Sequence, residues 1–402
     1  MAIEDRRPGW IQALALLLPI TMAVMGSVVL QPVQGLLLEH FAAVPGKLYW
    51  VPFLLTVPSI AATCFTVPAG YLADSLGRRP LLLYAMVFYV ALGVAPFFLH
   101  DLAPIALCRI GVGLTEGVVL TVTTTLLGDY FKGRARDRLL GVQVAIATIS
   151  ASLLIPLSGY LGSRLGWNGP FLIYGLAAVW LLGIVLFTWE PSPDASAGER
   201  RGTASWAGFP WKNMLVICAV TLFGACFFYT VQFEGPTILP DFGITDPARI
   251  GSLMGLVSWG MVAGAIGFQL VVNQSTGALL LGELVLIAAS FFVMSRAPTA
   301  DLLVGASFMN QVACGALLPT LLTACMRFLP FEHRGRGAGI WQGTLASGQF
   351  VVGMGFPALT QFTGGNKLHS LYLLSVAAGI AAVAALAFVY YSQISGIASE
   401  GK

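Results

Sequence analysis

Two ionisable residues, Arg109 and Glu116, lie inside an apolar segment, residues 103–128, that is long enough to cross a bilayer. A charge in the middle of a membrane costs several kcal/mol, so both side chains should face the protein interior or a water-filled cavity. Their spacing of seven residues is nearly two helical turns, which places them on one helix face, with Gly113 between them. The spacing allows the two side chains to meet, directly or through water.

The chemistry that this pair suggests is proton transfer. Burial disfavours a charged carboxyl group, whereas a neighbouring guanidinium favours it, and a group held between opposing effects can gain and lose a proton. Glu116 is therefore the first candidate for a titrating group, with Arg109 as the residue that tunes it. The alternative is a buried ion pair that only fixes helix packing.

Two further acids lie in apolar segments of the second half of the chain. Glu234 stands beside Gly235 and Pro236, where we expect the helix to break, and it is the second proton-coupling candidate. Its alternative role is that of an interfacial carboxylate that never changes charge. Glu283 lies early in its segment, and we expect it to reach the inner surface of the membrane without an assigned role.

The composition requires lipid as the solvent. The chain has 402 residues, of which 57% are hydrophobic and only 10% are charged, and its mean hydropathy is +0.83. Soluble proteins carry roughly 25% charged residues. The net charge of +3 gives no reason to expect nucleic acid as a partner, and the six cysteines all fall in apolar runs, as packing residues do. No phosphate loop, metal motif or nucleophile motif is present, so we expect neither an enzyme nor a cofactor.

Twelve apolar segments are long enough to span a bilayer as helices, which predicts an all-α membrane protein. We number them as spans 1 to 12: 11–38, 49–71, 80–99, 103–128, 139–162, 170–189, 212–235, 248–271, 277–295, 300–327, 338–361 and 369–392.

Basic residues set the expected orientation. If both termini are cytoplasmic, the inner loops and tails hold fifteen Lys and Arg residues and the outer loops hold five, with Arg109 as the twenty-first. This asymmetry predicts cytoplasmic termini and an uncleaved first span. Short loops suit a bacterial inner membrane.

The chain divides into two predicted halves, residues 1–189 and 212–402. Residues 190–211, rich in Pro, Ser, Ala and Gly, form the expected cytoplasmic linker. The halves repeat weakly, because Gln31 matches Gln232 at an offset of 201 residues. Arg109 and Gly113 match Gln311 and Gly315 at an offset of 202. Such repetition predicts duplicated, pseudo-symmetric six-helix halves, as in many transporter folds.

A charged stretch between spans 2 and 3, residues 70–80, reads GYLADSLGRRP. We expect a tight turn in which Gly70 and Gly77 allow close approach of backbones. The pattern Gly-x-x-x-Asp-x-x-Gly-Arg-Arg resembles the signature loop of the major facilitator superfamily, although Ser75 stands where family members often carry a basic residue. Arg109 and Gly113 likewise resemble the span 4 signature of that family, which is linked to proton transfer.

The resemblance implies a major facilitator fold, two halves that rock about a midplane site, and a proton gradient rather than a cofactor as driving force. The closest pattern is that of the drug:proton antiporter branch. Span 5 departs from it, because Ile155-Pro156 replaces the Gly-Pro pair that such antiporters typically carry.

The same resemblance nominates functional residues. Spans 1, 4, 7 and 10 usually line the cavity, which implies a substrate lining of Gln31, Gln34, Met22, Met25, Gln232, Tyr229, Asn310 and Gln311. Asp74, Arg78 and Asp129 would form a charge cluster that latches the two halves together. The full set of implied gating residues is Gly70, Asp74, Gly77, Arg78, Arg79, Asp129, Arg138 and Arg334.

Three functions fit these features. The first is proton-coupled efflux of small amphipathic or aromatic compounds by a monomer. The second is proton-coupled uptake of a small organic anion, with Arg109 gripping a carboxylate, since Arg suits such bidentate recognition. A remote third is a non-transporting membrane receptor or lipid-handling protein.

Overall fold

The computed structural model describes residues 8–191, 208–330 and 333–394, and these ranges hold twelve long helices. Their bounds are α1 Trp10–His40, α2 Lys47–Leu76, α3 Arg78–Phe98, α4 Leu102–Tyr130, α5 Arg134–Leu165, α6 Gly169–Phe187, α7 Trp211–Phe242, α8 Pro247–Val271, α9 Thr276–Ser295, α10 Ala300–Phe328, α11 Arg334–Phe362 and α12 Lys367–Ile394. The prediction of an all-α protein with twelve helices is confirmed.

Eleven of the described helices are long and apolar enough to cross a membrane. The exception is α11, which has 29 residues but carries several glycines together with Gln342 and Gln349. It still has sufficient length to span, because a helix needs about 20 residues to cross the hydrocarbon core.

The chain divides into two compact units, Met1–Gly208 and Phe209–Lys402, each with six of the described helices. Residues 192–207, most of the predicted linker, lie outside the described part of the chain, so the linker bounds stay a prediction. The N-terminal basic residues Arg6 and Arg7 lie outside it as well. The orientation in the membrane also stays a prediction.

The charged stretch after span 2 forms a shorter turn than we expected. Residues up to Leu76 continue α2, so Asp74 lies on the last turn of a helix. Only Gly77 interrupts the two helices, with a φ of 86° that L side chains rarely adopt. Gly70 lies inside α2, and open space lies where its side chain would be among the described residues, so neither a turn nor a close approach of backbones requires a glycine there.

Glycines bring the second and fourth helices of each unit together. A side chain at Gly113 of α4 would overlap the backbone of Pro58 in α2, and one at Gly315 of α10 would overlap the backbone of Met261 in α8. Gly113 and Gly315 are the pair that the sequence matched at an offset of 202. The same helix contact therefore recurs in both units, as duplicated halves require.

Two proline-containing helices, α7 and α1, differ in whether the helix is interrupted near the proline. The backbone of α7 remains helical through Gly235 and Pro236 to Ile238, so the break predicted there is wrong. A tighter turn, Leu239–Phe242, follows it. Within α1, by contrast, the α-helix is interrupted at Val29–Leu30, just before a short 3₁₀ segment that contains Pro32.

The contact at Gly113 gives a first prediction. Gly113→Ala should lower the free energy of unfolding by about 1–3 kcal/mol, because α4 and α2 must separate to admit the methyl group. Thermal unfolding of the purified protein in detergent measures this effect. The control is Gly183→Ala in α6, where no described atom lies within 4 Å of the new methyl group. Equal melting temperatures for the two variants would contradict the proposed close packing.

Candidate functional site

Arg109 is held by neutral oxygen atoms on three neighbouring helices. Its Nε donates to the carbonyl oxygen of Leu54 at 2.7 Å, and Nη2 donates to those of Gly26 at 2.6 Å and Leu55 at 3.4 Å. Nη1 donates to the hydroxyl group of Tyr174. The side chain is only 1% exposed. A guanidinium group has five N–H donors, so Arg109 is nearly saturated inside the N-terminal unit.

The sequence explains why a carbonyl group of α2 is available to Arg109. In a regular helix, the carbonyl of Leu54 would accept the N–H of residue 58, but Pro58 has no N–H to donate. The Nε–H of Arg109 takes the place of that missing donor. Pro58 and Arg109 are therefore complementary, although they belong to different helices.

Two tyrosines complete the surroundings of Arg109, and the sequence interpretation missed both. The hydroxyl of Tyr174 in α6 donates to the carbonyl of Met25 at 3.2 Å, and that of Tyr89 in α3 donates to the carbonyl of Met22 at 2.5 Å. The two rings lie 5.4 Å apart. A tyrosine within a membrane span needs a partner for its hydroxyl, which is the signal that could have identified them.

Glu116 also reaches α1 but forms no ion pair with Arg109 within the described part of the chain. Its carboxyl group lies against Gly26, where any side chain would overlap Oε2. The residue is 5% exposed, and Oε2 is buried without a hydrogen-bond partner. The direct meeting that the seven-residue spacing allowed is not formed, because Arg109 turns toward backbone carbonyls instead.

The residues proposed to line a substrate cavity fall into different environments. Met22 and Met25 are fully buried, at 0% and 1% exposed, within the N-terminal unit. Gln31 donates to the carbonyl of Ser27 at 3.2 Å. The side-chain oxygens of Gln31 and Gln34 are buried and have no hydrogen-bond partner among the described residues. These two oxygens are thus available to water or to a ligand.

In the C-terminal unit, the structure brings Gln232 and Gln311 together. Nε2 of Gln232 donates to Oε1 of Gln311 at 2.9 Å, and Nε2 of Gln311 donates to the carbonyl of Phe228 at 3.3 Å. The second bond resembles that of Arg109 to Gly26, since both run from the fourth helix of a unit to its first. The matched positions 109 and 311 therefore make equivalent contacts, with a charge in one unit and an amide in the other.

Asn310 is not brought to Gln232. It donates to the hydroxyl of Ser290 in α9 at 3.0 Å and is fully buried. Tyr229 is half-buried, with its ring 4.7 Å from that of Phe228. As substrate contacts, these residues stay predictions.

Glu234 has a neighbouring cation that the sequence interpretation did not identify. Its Oε2 lies 3.0 Å from the hydroxyl of Thr237, and Nζ of Lys367 donates to the carbonyl of Thr237 at 2.6 Å. The place of Lys367 at the start of α12 is typical of an interfacial lysine, which gave no signal that it would turn inward.

Glu283 is buried within the C-terminal unit and is not the exposed carboxylate that we expected. The residue is 7% exposed, and its Oε1 lies 2.7 Å from the hydroxyl of Thr320 in α10. A hydroxyl group on the neighbouring helix therefore replaces the water that a carboxyl group would otherwise seek.

The residues assigned to a gate cluster around the ends of α2 and α4. Arg78 forms an ion pair with Asp129. Asp74, Arg78 and Gly70 line one cavity of about 400 Å³, together with Thr121 and Thr125 of α4. The ion pair expected between Arg78 and Asp129 is thus present within the N-terminal unit, and the role of the cluster as a gate stays a prediction.

Glu190 is the functional candidate that the sequence interpretation overlooked, since it lies at the start of the predicted linker. Its two carboxylate oxygens accept the backbone N–H groups of Arg78 at 2.8 Å and Arg79 at 2.7 Å. Gly77 has no side chain with which to cap α3, so an acid that follows α6 satisfies the first two amides. The Arg79 side chain returns along α6 to the carbonyl of Val185 at 2.9 Å.

An aromatic contact joins the end of α4 to the chain that follows α6. The hydroxyl of Tyr130 donates to the carbonyl of Trp189 at 2.6 Å, and the two rings stack with centroids 4.6 Å apart. The other two assigned gate residues lie elsewhere: Arg138 is exposed on α5, and Nε of Arg334 donates to the carbonyl of Leu329 at 3.4 Å.

A family model described as the Major Facilitator Superfamily matches residues 16–353 of the chain. Among solved structures, a D-xylose-proton symporter superposes with a TM-score of 0.77 at 14% identity, covering 92% of this chain and 97% of that one. An inward-facing, unoccupied bacterial homolog of the human lysosomal transporter Spinster gives 0.74 at 16% identity, covering 95% and 96%. At these identities the likeness shows the fold, and the predicted major facilitator fold is confirmed.

Curated relatives match over shorter segments. A probable L-galactonate transporter of Escherichia coli (strain K12) is 28% identical over 128 residues, which is 32% of this chain and 28% of that protein. The multidrug transporter protein MdtP of Bacillus subtilis (strain 168) is 25% identical over 128 residues, 32% of this chain and 24% of that protein. A probable sugar efflux transporter of Mannheimia succiniciproducens is 21% identical over 174 residues, 43% and 44%. The matched segments span less than half the length of these relatives.

The cap on α3 gives a second prediction. Glu190→Ala should lower the free energy of unfolding by about 1–2 kcal/mol, because two amides at the start of α3 lose their acceptor and the helix end loses its compensating charge. Thermal unfolding in detergent tests it against Glu39→Ala, which removes an exposed glutamate. Equal melting temperatures for Glu190→Ala and Glu39→Ala would refute the role of Glu190 as a helix cap.

The hydroxyl beside Arg109 gives a third. Tyr174→Phe should lower the free energy of unfolding, measured by thermal unfolding in detergent, by about 1–3 kcal/mol. The reason is that a buried N–H of the Arg109 guanidinium is left without an acceptor. Tyr84→Phe, in which the tyrosine is 65% exposed, should change stability by less than about 0.5 kcal/mol. A Tyr174 variant as stable as the Tyr84 variant would show that Arg109 does not depend on this hydroxyl.

Proposed function

Because the chain belongs to the major facilitator superfamily and is a multi-pass membrane transporter, we propose that it exports small amphipathic or aromatic compounds in exchange for protons by alternating access. The observation that carries this proposal is the carboxyl group of Glu116, which is buried in the N-terminal unit with one oxygen unpartnered.

Glu116 is suited to exchange a proton because its surroundings can accommodate both the neutral acid and the charged carboxylate. The neutral acid is compatible with a buried site that supplies no hydrogen bond to Oε2. The charged form gains electrostatic stabilisation from Arg109, because both side chains lie against Gly26 without bonding to one another. Arg109 keeps its own hydrogen bonds in either case, so the loss of a proton leaves the helix contacts in place.

Buried neutral polar groups, found within each unit separately, support the proposed substrate class. Gln31 and Gln34 in one unit and Gln232 in the other each carry a buried amide oxygen with no hydrogen-bond partner among the described residues. Tyr229 and its aromatic neighbour Phe228 add flat apolar surface. Such groups accept hydrogen bonds and pack against rings, which suits uncharged or weakly basic amphipathic compounds. The similarity to a multidrug transporter and to a sugar efflux transporter supports export.

Uptake of an organic anion is the second candidate, and the similarity to a probable L-galactonate transporter favours it. For uptake of an anion, Arg109 would have to bind the substrate carboxylate. Its donors are already committed to three backbone carbonyls and a tyrosine, and it is 1% exposed. An anion transporter of this chain would therefore need another cation, which makes efflux the better-supported proposal. Membership in a transporter family leaves the receptor and lipid-handling alternatives without support.

The remaining parts of the proposal concern setting and energy. The transporter is proposed to act as a monomer in the bacterial inner membrane with both termini cytoplasmic, as the basic residues of its loops favour. A proton gradient is the proposed driving force, with no cofactor and no nucleic-acid partner.

Glu116→Gln tests the coupling directly. Purified protein is reconstituted in liposomes that contain a pH dye and are preloaded with cationic dyes or neutral aromatic compounds. As the compound leaves, wild-type protein should acidify the lumen. In Glu116→Gln the rate of acidification should fall by at least about tenfold, because an amide cannot carry the proton.

The matched control is Glu39→Gln, which removes an exposed carboxyl group from the same unit and should exchange at the wild-type rate. Full proton exchange by Glu116→Gln would remove Glu116 from the mechanism. Acidification only when an external carboxylate is added would instead establish uptake by symport and reject efflux.

A further inference from the structure

A seam of polar side chains runs along the contact between α9 and α10 in the C-terminal unit. Its hydrogen-bonded pairs, from the exposed end inward, are Arg327 Nη1 with Thr276 Oγ1 at 2.9 Å, Thr320 Oγ1 with Glu283 Oε1 at 2.7 Å, and Asn310 Nδ2 with Ser290 Oγ at 3.0 Å. Seven residues separate successive α9 members, so the pairs recur at about 10 Å intervals along the antiparallel helices. None of these contacts is needed for the proposed exchange at Glu116.

Glu283 is the ionisable group in the middle of this seam. It is 7% exposed, and its Oε2 is buried with no hydrogen-bond partner among the described residues. On α10, the buried titratable group beside the seam is Cys314, whose Sγ lies 3.6 Å from Oδ1 of Asn310. On α12, the described titratable side chains near α9 are His369 and Tyr372, which lie at the opposite end of the helix pair beside Phe292 and Arg296.

The charged group nearest along the seam is Arg327, which is engaged with Thr276 and exposed at the end of α10. It lies seven residues beyond Thr320, about two helical turns away. Among the described residues, Glu283 therefore has no cation within ion-pair distance. An ionised carboxylate in such a place would carry an uncompensated charge inside the membrane.

The hydroxyl group of Thr320 shows how the charge is avoided. Its Oγ1 lies 2.7 Å from Oε1 of Glu283 and 3.0 Å from the carbonyl oxygen of Ala316. A hydroxyl group has a single proton and can donate it to only one of these acceptors. Both contacts are satisfied together if Glu283 is a neutral acid that donates its own O–H to Thr320, while Thr320 donates to Ala316.

We propose that Glu283 and Thr320 form a second proton-binding site, located in the C-terminal unit and separate from Glu116. In the proton-loaded state, the O–H of Glu283 donates to Thr320. On release, that O–H bond breaks and the proton passes to a water molecule that enters from the exposed end of the seam, giving hydronium and a carboxylate. Thr320 then rotates its own O–H toward Oε1. Two oxygen-bearing side chains suffice for a proton but not for a metal cation, which takes about six oxygen ligands.

Infrared difference spectroscopy of the full-length protein in lipid, between acidic and alkaline buffer, tests the site without any transport measurement. The outcome is therefore independent of whether Glu116 couples exchange. Wild-type protein should show a carboxylic-acid carbonyl band at the high-frequency position of a carbonyl that accepts no hydrogen bond, because Oε2 has no partner. Glu116 is also a buried acid with an unpartnered Oε2, so the spectra are compared in protein that carries Glu116→Gln. In that background Glu283→Gln should lose the band, and Glu39→Gln, which removes an exposed acid, should keep it.

Thr320→Val keeps the test decisive if Glu283→Gln does not fold. It preserves the shape of the side chain but removes the acceptor for the Glu283 O–H, so the band should persist at a shifted position. A spectrum that neither substitution changes would overturn the proposal. A band that responds to sodium at constant pH would also overturn it, in favour of a cation site.

Discussion

The N-terminal unit is arranged around a buried positive charge that is held by neutral oxygens. A guanidinium group in a membrane interior must be hydrogen-bonded on all sides, and Arg109 finds its acceptors on the backbones of α1 and α2 and on Tyr174 of α6. Proline at position 58 leaves a carbonyl without a helical donor at the required height. Gly113 lets α4 approach α2 closely enough for the side chain to reach it. The charge and the helix packing therefore depend on one another.

In the proposed mechanism, Arg109 and Glu116 of α4 have different tasks. Arg109 is committed to helix contacts, which leaves Glu116 near a positive charge but free of a bond to it. A carboxyl group in that position can change its protonation state without dismantling the bundle, which a direct ion pair would not permit. In the C-terminal unit the equivalent position holds Gln311, which makes the equivalent contact to the first helix without a charge. The duplicated halves have thus kept a contact and diverged in chemistry.

The sequence predicted the parts of this structure that follow from composition and local pattern. Twelve helices and the repeat that relates Gly113 to Gly315 could be anticipated in this way. The pair of Arg78 with Asp129 was implied by the resemblance to the major facilitator superfamily. Other contacts between residues far apart in the chain could not be anticipated, because no local pattern or family signature indicates them. Glu190 has the sequence context of a linker residue, and its bond to the backbone N–H of Arg78, 112 residues away, has no local signal. Glu283 looked interfacial because its partner, Thr320, lies on another helix.

Proton release on compound binding tests the division of tasks between Arg109 and Glu116 most directly. A transported compound is added to purified protein in weakly buffered detergent, and the change in pH of the solution is recorded. If Glu116 is the group that exchanges its proton for substrate, wild-type protein releases protons on binding and Glu116→Gln binds the compound without releasing any. Equal proton release by both proteins would contradict this division and place the exchanging group elsewhere.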